Sequence, residues 1–216
     1  MKKICLCVLG IVVMSLCASA QNKSTWGVRA GLNISDMIQK QDGESGSTGS
    51  RASFHVGVAY QFPIVKKLPL YIETGLYLSG RGAKVNEETV NSKVNMLYMQ
   101  VPVLVSWHFN LNSVSLQPYV GAFYGLGVHG KLKAGDREAS LFKANTIEGV
   151  EVPQAFKRSE VGLRFGLGVA IKKHYYVGVG YDLGLTNILK NESAIGVDKG
   201  AKMKNGSFFV SLGYNF

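Results

Sequence analysis

The stretch Gly206 to Phe216 constrains the fold of this chain most. Every second position is apolar (Phe208, Val210, Leu212, Tyr214, Phe216), and small or polar residues mostly fill the gaps (Ser207, Ser211, Gly213, Asn215). Successive side chains of an extended strand point to opposite faces, so this pattern is a strand with one apolar and one polar face. The same alternation recurs in seven further segments, and no later segment is long and apolar enough for a membrane-spanning helix.

The alternation places strands at about Thr25 to Ile34, Ala52 to Phe62, Leu70 to Ser79, Met96 to Phe109, Gln117 to His129, Ser159 to Ile171, Tyr175 to Thr186 and Gly206 to Phe216. Between them, long polar stretches (Ser35 to Ser50, Arg81 to Asn95, Gly130 to Arg158, Ile188 to Asn205) alternate with short connections near Pro63 to Pro69, Asn110 to Ser115 and Lys172 to His174. Pro102 lacks a ladder donor, so a bulge or local break is expected in the fourth strand.

The N-terminus reads as an export signal. Lys2 and Lys3 form a positive region, Ile4 to Leu16 an apolar one, and Ala18-Ser19-Ala20 a small-residue cleavage site, leaving 21–216 as the mature domain. Cys5, Cys7 and Cys17 all fall in the removed piece, which excludes disulfides and thiol chemistry from the mature chain. Loss of Lys2 and Lys3 lowers the formal charge of +10 to about +8. In an exported setting this basic charge points to anionic lipid head groups, lipopolysaccharide included, or to surface polysaccharide, and away from nucleic acid.

An even number of strands, with connections alternating long and short, puts both termini on the side of the short turns. In that arrangement Trp26, Tyr60, Phe62, Trp107, Phe109, Tyr175, Tyr214 and Phe216 all fall at one end, as a periplasmic aromatic girdle would. Hydrocarbon cannot satisfy a free strand edge, so the final strand must pair with the first. The expected fold is therefore all-β, an eight-stranded antiparallel up-and-down transmembrane β-barrel. Eight strands leave an interior that side chains fill. Arg29, Glu73, Glu160, Arg164 and Asp182 face it and should form a paired-charge network in the lumen, with no open channel.

Several segments mark the strands closely: WGVRAGLN (Trp26 to Asn33), YIETGLYLSGRGAK (Tyr71 to Lys84), YMQVPVLV (Tyr98 to Val105), PYVGAFYG (Pro118 to Gly125), YDLGLTNI (Tyr181 to Ile188) and FFVSLGYNF (Phe208 to Phe216). In these the chain resembles the porin-like outer-membrane β-barrel family often labelled PorT-like. The resemblance implies an integral protein of the bacterial outer membrane, and links some members to secretion of surface proteins. The final strand also resembles the C-terminal signal read by the barrel-assembly machinery, carried by Tyr214 and Phe216. Phe216→Ala is then expected to impair insertion.

No motif assigns chemistry. Gly125-x-Gly127-x-x-Gly130 matches a dinucleotide fingerprint in letters, but a polar Gly-containing loop stands where the fingerprint needs a helix. His55, His108, His129 and His174 lack metal-ligand spacing. His55 and His129 could sit near the outer rim, with Ser159 and Asp136 as positional candidates for an enzyme. Catalysis, cofactor and metal are nonetheless not expected. The outer lysines (Lys84, Lys93, Lys131, Lys133, Lys143, Lys157, Lys190, Lys199, Lys202, Lys204) form a solvated surface that could contact lipopolysaccharide or host glycans. The reading is a monomeric barrel with a structural or surface-interaction role. Its alternatives are a narrow pore, a secretion-linked barrel, a small outer-membrane enzyme, and a soluble lipocalin-like binder with its faces inverted.

Overall fold

The computed structural model describes residues 24–41, 44–47, 49–65, 68–86, 91–134, 137–143, 145–147, 150–152, 154–190 and 202–216. Residues 1–23, where the export signal is expected, and also Asp136 and Lys199 lie outside the described residues. Eight long strands run antiparallel: β1 (Thr25–Gln41), β2 (Arg51–Pro63), β3 (Leu70–Asn86), β4 (Asn91–Trp107), β5 (Val114–Ala134), β6 (Ser159–Ile171), β7 (Tyr175–Gly184) and β8 (Lys202–Asn215). Each pairs with the next, and β8 returns onto β1 from Gly27↔Asn215 to Lys40↔Lys202. The result is a closed eight-stranded barrel in which every long strand has a partner on both sides.

The two faces of each strand explain the closure. Leu32, Phe54, Val103, Val120, Phe165 and Leu212 are exposed on the outside, while Asn33, Gln100, Glu160 and Ser211 are buried within. That facing suits a barrel solvated by hydrocarbon, and it is opposite to that of a lipocalin-like binder, which keeps its apolar face inside. Connections at one end are short. Phe109–Leu111 folds onto Val114–Leu116 through Asn112 at φ 50°, and Lys172 and Lys173 turn between β6 and β7 at φ 48° and 65°. This is the turn end; the opposite one is the loop end.

Several expected boundaries need correction at the loop end. Ser35 to Ser50 is not a loop throughout: β1 continues to Gln41 and pairs there with a short strand, Glu44–Ser47. The hairpin of β3 and β4 likewise continues through Arg81 to Asn95 as far as Asn86↔Asn91. Further out, β5 reaches Ala134 and β8 begins at Lys202. The alternation fades there because outward side chains meet water, whereas the backbone ladder needs no side-chain pattern. At their other limits β4 stops at Trp107, short of Phe109, and β7 stops at Gly184, short of Thr186.

Pro102 interrupts the ladder of β3 with β4 between Thr74↔Val103 and Tyr77↔Gln100 without a register shift. The Thr74 hydroxyl donates to the Pro102 carbonyl at 2.8 Å, a side-chain bond in the gap the ladder leaves. A register shift lies elsewhere, at Leu97/Tyr98 against β5.

The wall is uneven, because β6 and β7 are shorter than the strands around them at the loop end. Pieces of the connections complete it there. The Gly130 carbonyl accepts from Leu141 N at 3.0 Å, and the Leu141 carbonyl from Phe156 N at 3.1 Å. The Ile188 carbonyl accepts from Lys157 N at 2.7 Å, and Ile188 N donates to the Met203 carbonyl at 2.9 Å. This path runs from β5 to β8 over the short hairpin. On its inner side Phe142, Phe156, Ile188 and Leu189 pack with Met37, Met96, Tyr98 and Met203 in an apolar core that caps the barrel.

Candidate functional site

The lumen beneath the cap holds most of the buried polar chemistry. Near the turn end, Arg29 Nη2 donates to Asn215 Oδ1 at 2.7 Å, and its guanidinium lies 3.8 Å from the ring centre of Tyr176. Glu73 Oε2 accepts from Gln61 Nε2 at 2.6 Å. His108, in the connection after β4, stacks on Tyr71 at 3.9 Å, and burial pushes its imidazole down to about 4. At neutral pH it is an uncharged ring.

Halfway along, His55 is held between two partners. Its Nδ1 lies 2.7 Å from Asn33 Oδ1 and its Nε2 lies 2.7 Å from Ser211 Oγ, with Phe209 edge-on at 5.7 Å. A cavity of about 20 Å³ beside it has room for about one water.

At the waist, nearer the loop end, four charges meet. Arg164 and Asp182 are direct cross-strand partners, joined by Nε to Oδ1 at 2.6 Å and Nη2 to Oδ2 at 2.8 Å. Such a two-point bond fixes the guanidinium plane as well as its position. Arg81 reaches across the barrel from β3, with Nη2 2.5 Å from Asp182 Oδ2 and Nη1 3.4 Å from Glu160 Oε1. Asn205 donates to Glu160 Oε2 at 3.1 Å, and Gln100 Oε1 accepts from Arg164 at 3.2 Å. Two arginines face two carboxylates, so each ionisable group has a partner of opposite kind where an unpaired ion would be costly.

The five expected lumen charges therefore separate. Glu160, Arg164 and Asp182 belong to one network, whereas Arg29 and Glu73 bond to neutral amides nearer the turn end. Arg81, which joins that network together, falls in a stretch that the sequence pattern assigns to a loop. The signal is present as parity: Glu73, Tyr77 and Ser79 face inward at odd positions, and Arg81 continues that row. His55 is buried in the lumen and away from the rim, while His129 is exposed at the loop end of β5 and Ser159 is the exposed first residue of β6. Among the described residues no group of three or more His, Cys, Asp or Glu converges.

The aromatic residues of the expected girdle all sit at the turn end. Trp26 lies 4.8 Å from Tyr60, Tyr60 5.7 Å from Phe62, and Trp107 6.2 Å from Phe109. Tyr214 lies 5.8 Å from Tyr175 and 5.3 Å from Phe216. The glycines of the false fingerprint have a packing role. A Cβ on Gly127 would press into the Phe142 ring, and one on Gly130 would stand 2.7 Å from it, so their bareness admits that ring to the cap.

The sequence model of the outer membrane protein β-barrel domain family matches residues 19–190. The chain belongs to this family. Membership places the barrel in the bacterial outer membrane. A search of curated proteins finds no match. Among solved structures, the barrel is similar to OprG from Pseudomonas aeruginosa, at 15% identity over 89% of this chain and 96% of that one, with a TM-score of 0.50. It is similar to a major outer membrane protein from Thermus thermophilus at 12% identity over 90% and 100% of the two chains, with a TM-score of 0.50. The attachment invasion locus protein Ail of Yersinia pestis aligns at 16% identity over 90% and 100%, with a TM-score of 0.47. At such identities the first two likenesses are of fold.

Proposed function

We propose that this family member is a sealed, non-conducting barrel that works at its loop end, facing the cell exterior, in a structural or surface-interaction role. The observation that carries this reading is the filled lumen. Arg81, Gln100 and Glu160 are fully buried at the waist, and the apolar core of Phe142, Phe156 and Ile188 lies over them. A water-filled path needs a polar lining that stays wet, and these layers exclude water by ion pairing below and apolar packing above.

The orientation is supported by the short turns and aromatic residues at one end and the long connections at the other, the arrangement typical of outer-membrane barrels. In this reading Met1 to Ala20 is removed on export, the turn-end aromatics form the periplasmic girdle, and Tyr214 and Phe216 serve recognition by the assembly machinery. The barrel acts as a monomer, without a cofactor and without catalysis; both ring nitrogens of His55 are already engaged within the lumen. Recording from planar bilayers containing the purified protein tests the reading. No unitary conductance is expected, and steady ion channels would overturn it.

A further inference from the structure

We propose that a recess on the outer wall at the seam of β5 and β6 binds the phosphorylated headgroup of an outer-leaflet glycolipid. The recess has a volume of about 370 Å³, and its lining includes Val128, His129, Lys131, Ser140, Lys143 and Arg158. Lys131, Lys143 and Arg158 bring basic side chains to it, the two lysines in addition to the contacts that each already makes within the protein.

Its position gives the ligand a second requirement. Gly127 N donates to the Arg158 carbonyl at 2.6 Å, and the pairs next to it down the seam are Leu126↔Ser159 and Tyr124↔Val161. Outside these pairs Tyr124, Leu126, Val161 and Leu163 are exposed apolar side chains on the lipid-facing wall. The basic recess thus stands directly on an apolar stripe, and Val128, 46% exposed, is part of both. The register shift at Leu97/Tyr98 is what brings Val128 and His129 out together, since a bulge lets consecutive residues share an exposed side.

Arg158 is fixed at the same place by donating from Nη2 to the Phe142 carbonyl at 3.2 Å. A guanidinium held in this way suits phosphate, whose oxygens match its fork of donors. A soluble anion would use only the charges. A phosphorylated glycolipid uses both parts, with its phosphate in the recess and its acyl chains along Tyr124, Leu126 and Val161. The inference rests on the loop end facing outward, where the outer leaflet lies.

Native mass spectrometry of the full barrel released from detergent tests it, with diphosphoryl lipid A as the probe. One lipid retained per barrel is expected, with at least tenfold lower occupancy for dephosphorylated lipid A and for the variant K131E/K143E. Heat-modifiable gel mobility reports whether the variant is folded; if it is not, R158Q decides by the same criterion. Equal retention by wild type and a folded variant, or of both lipids, overturns the proposal. Tighter binding of a soluble sulfated oligosaccharide than of lipid A would assign the recess to a free glycan and also overturn it. A barrel that conducts ions yet retains the lipid refutes the sealed-barrel reading alone, and a silent barrel that retains none refutes only the lipid site.

Discussion

The waist of the lumen and the cap above it are both filled by side chains, of opposite chemistry. At the waist, Arg81, Glu160, Arg164 and Asp182 sit on strands, and the two-residue period of the ladder fixes which way each points. In the cap, Phe142, Phe156, Ile188 and Leu189 come from the connections and are brought together by backbone bonds between pieces distant in sequence. The waist depends on each member, because an ion left alone in the lumen is expensive. The cap is more forgiving, because one apolar side chain substitutes for another of similar volume.

Asp182→Ala should break the comparison most sharply. It leaves Arg164 and Arg81 without their shared carboxylate and is expected to cost about 3–5 kcal/mol, read from urea unfolding in lipid vesicles. Phe142→Ala should cost about 3 kcal/mol, confined to the loop end. Hydrogen exchange at the Leu141 and Phe156 amides should then speed up by about a hundredfold while amides of β2 near Val58 keep their rates. If exchange rises throughout the barrel, cap and waist are one cooperative unit and the contrast fails.

Gly127→Ala sharpens the same boundary by pushing a methyl group into the Phe142 ring, with an expected cost of about 1–3 kcal/mol. The double variant G127A/F142L should lose less than the sum of its single changes, as a mutant cycle on the folded barrel would measure. Smallest is Thr74→Val, which removes the hydroxyl bonded to the Pro102 carbonyl and should cost about 1 kcal/mol in urea unfolding, without altering the cap's exchange.

The same contrast explains what is legible in the sequence. The limits of β6 are those of the alternation itself, because apolar outward residues run from Val161 to Ile171, over nearly its whole length. The partnership of β8 with β1 follows from the need to remove edges. Arg81 is hidden because the outward apolar row of β3 ends at Leu78, with Gly80 and Gly82 next in it, while the inward row continues. The pattern puts His55 near the rim for the related reason that β1 and β3 rise beyond where their apolar patterns end. The cap is invisible for a deeper reason: Leu141, Phe142, Phe156 and Ile188 follow no period, and their partners are set only once the barrel has closed. The recess at the seam of β5 and β6 shares that origin, since Lys143 and Arg158 meet β5 only through the path that completes the wall.

That wall also makes the loop end a mount for foreign sequence. Lys190 N is bonded to the Ala155 carbonyl at 2.8 Å, and Lys202 is in register with Lys40, so Lys190 and Lys202 are two points fixed to the wall. Lengthening a connection held at both ends costs only about 0.6 kcal/mol for each doubling of its length. A peptide epitope spliced between those points would therefore be presented from a base that stays shut, with recognition and containment kept on separate parts of one small barrel.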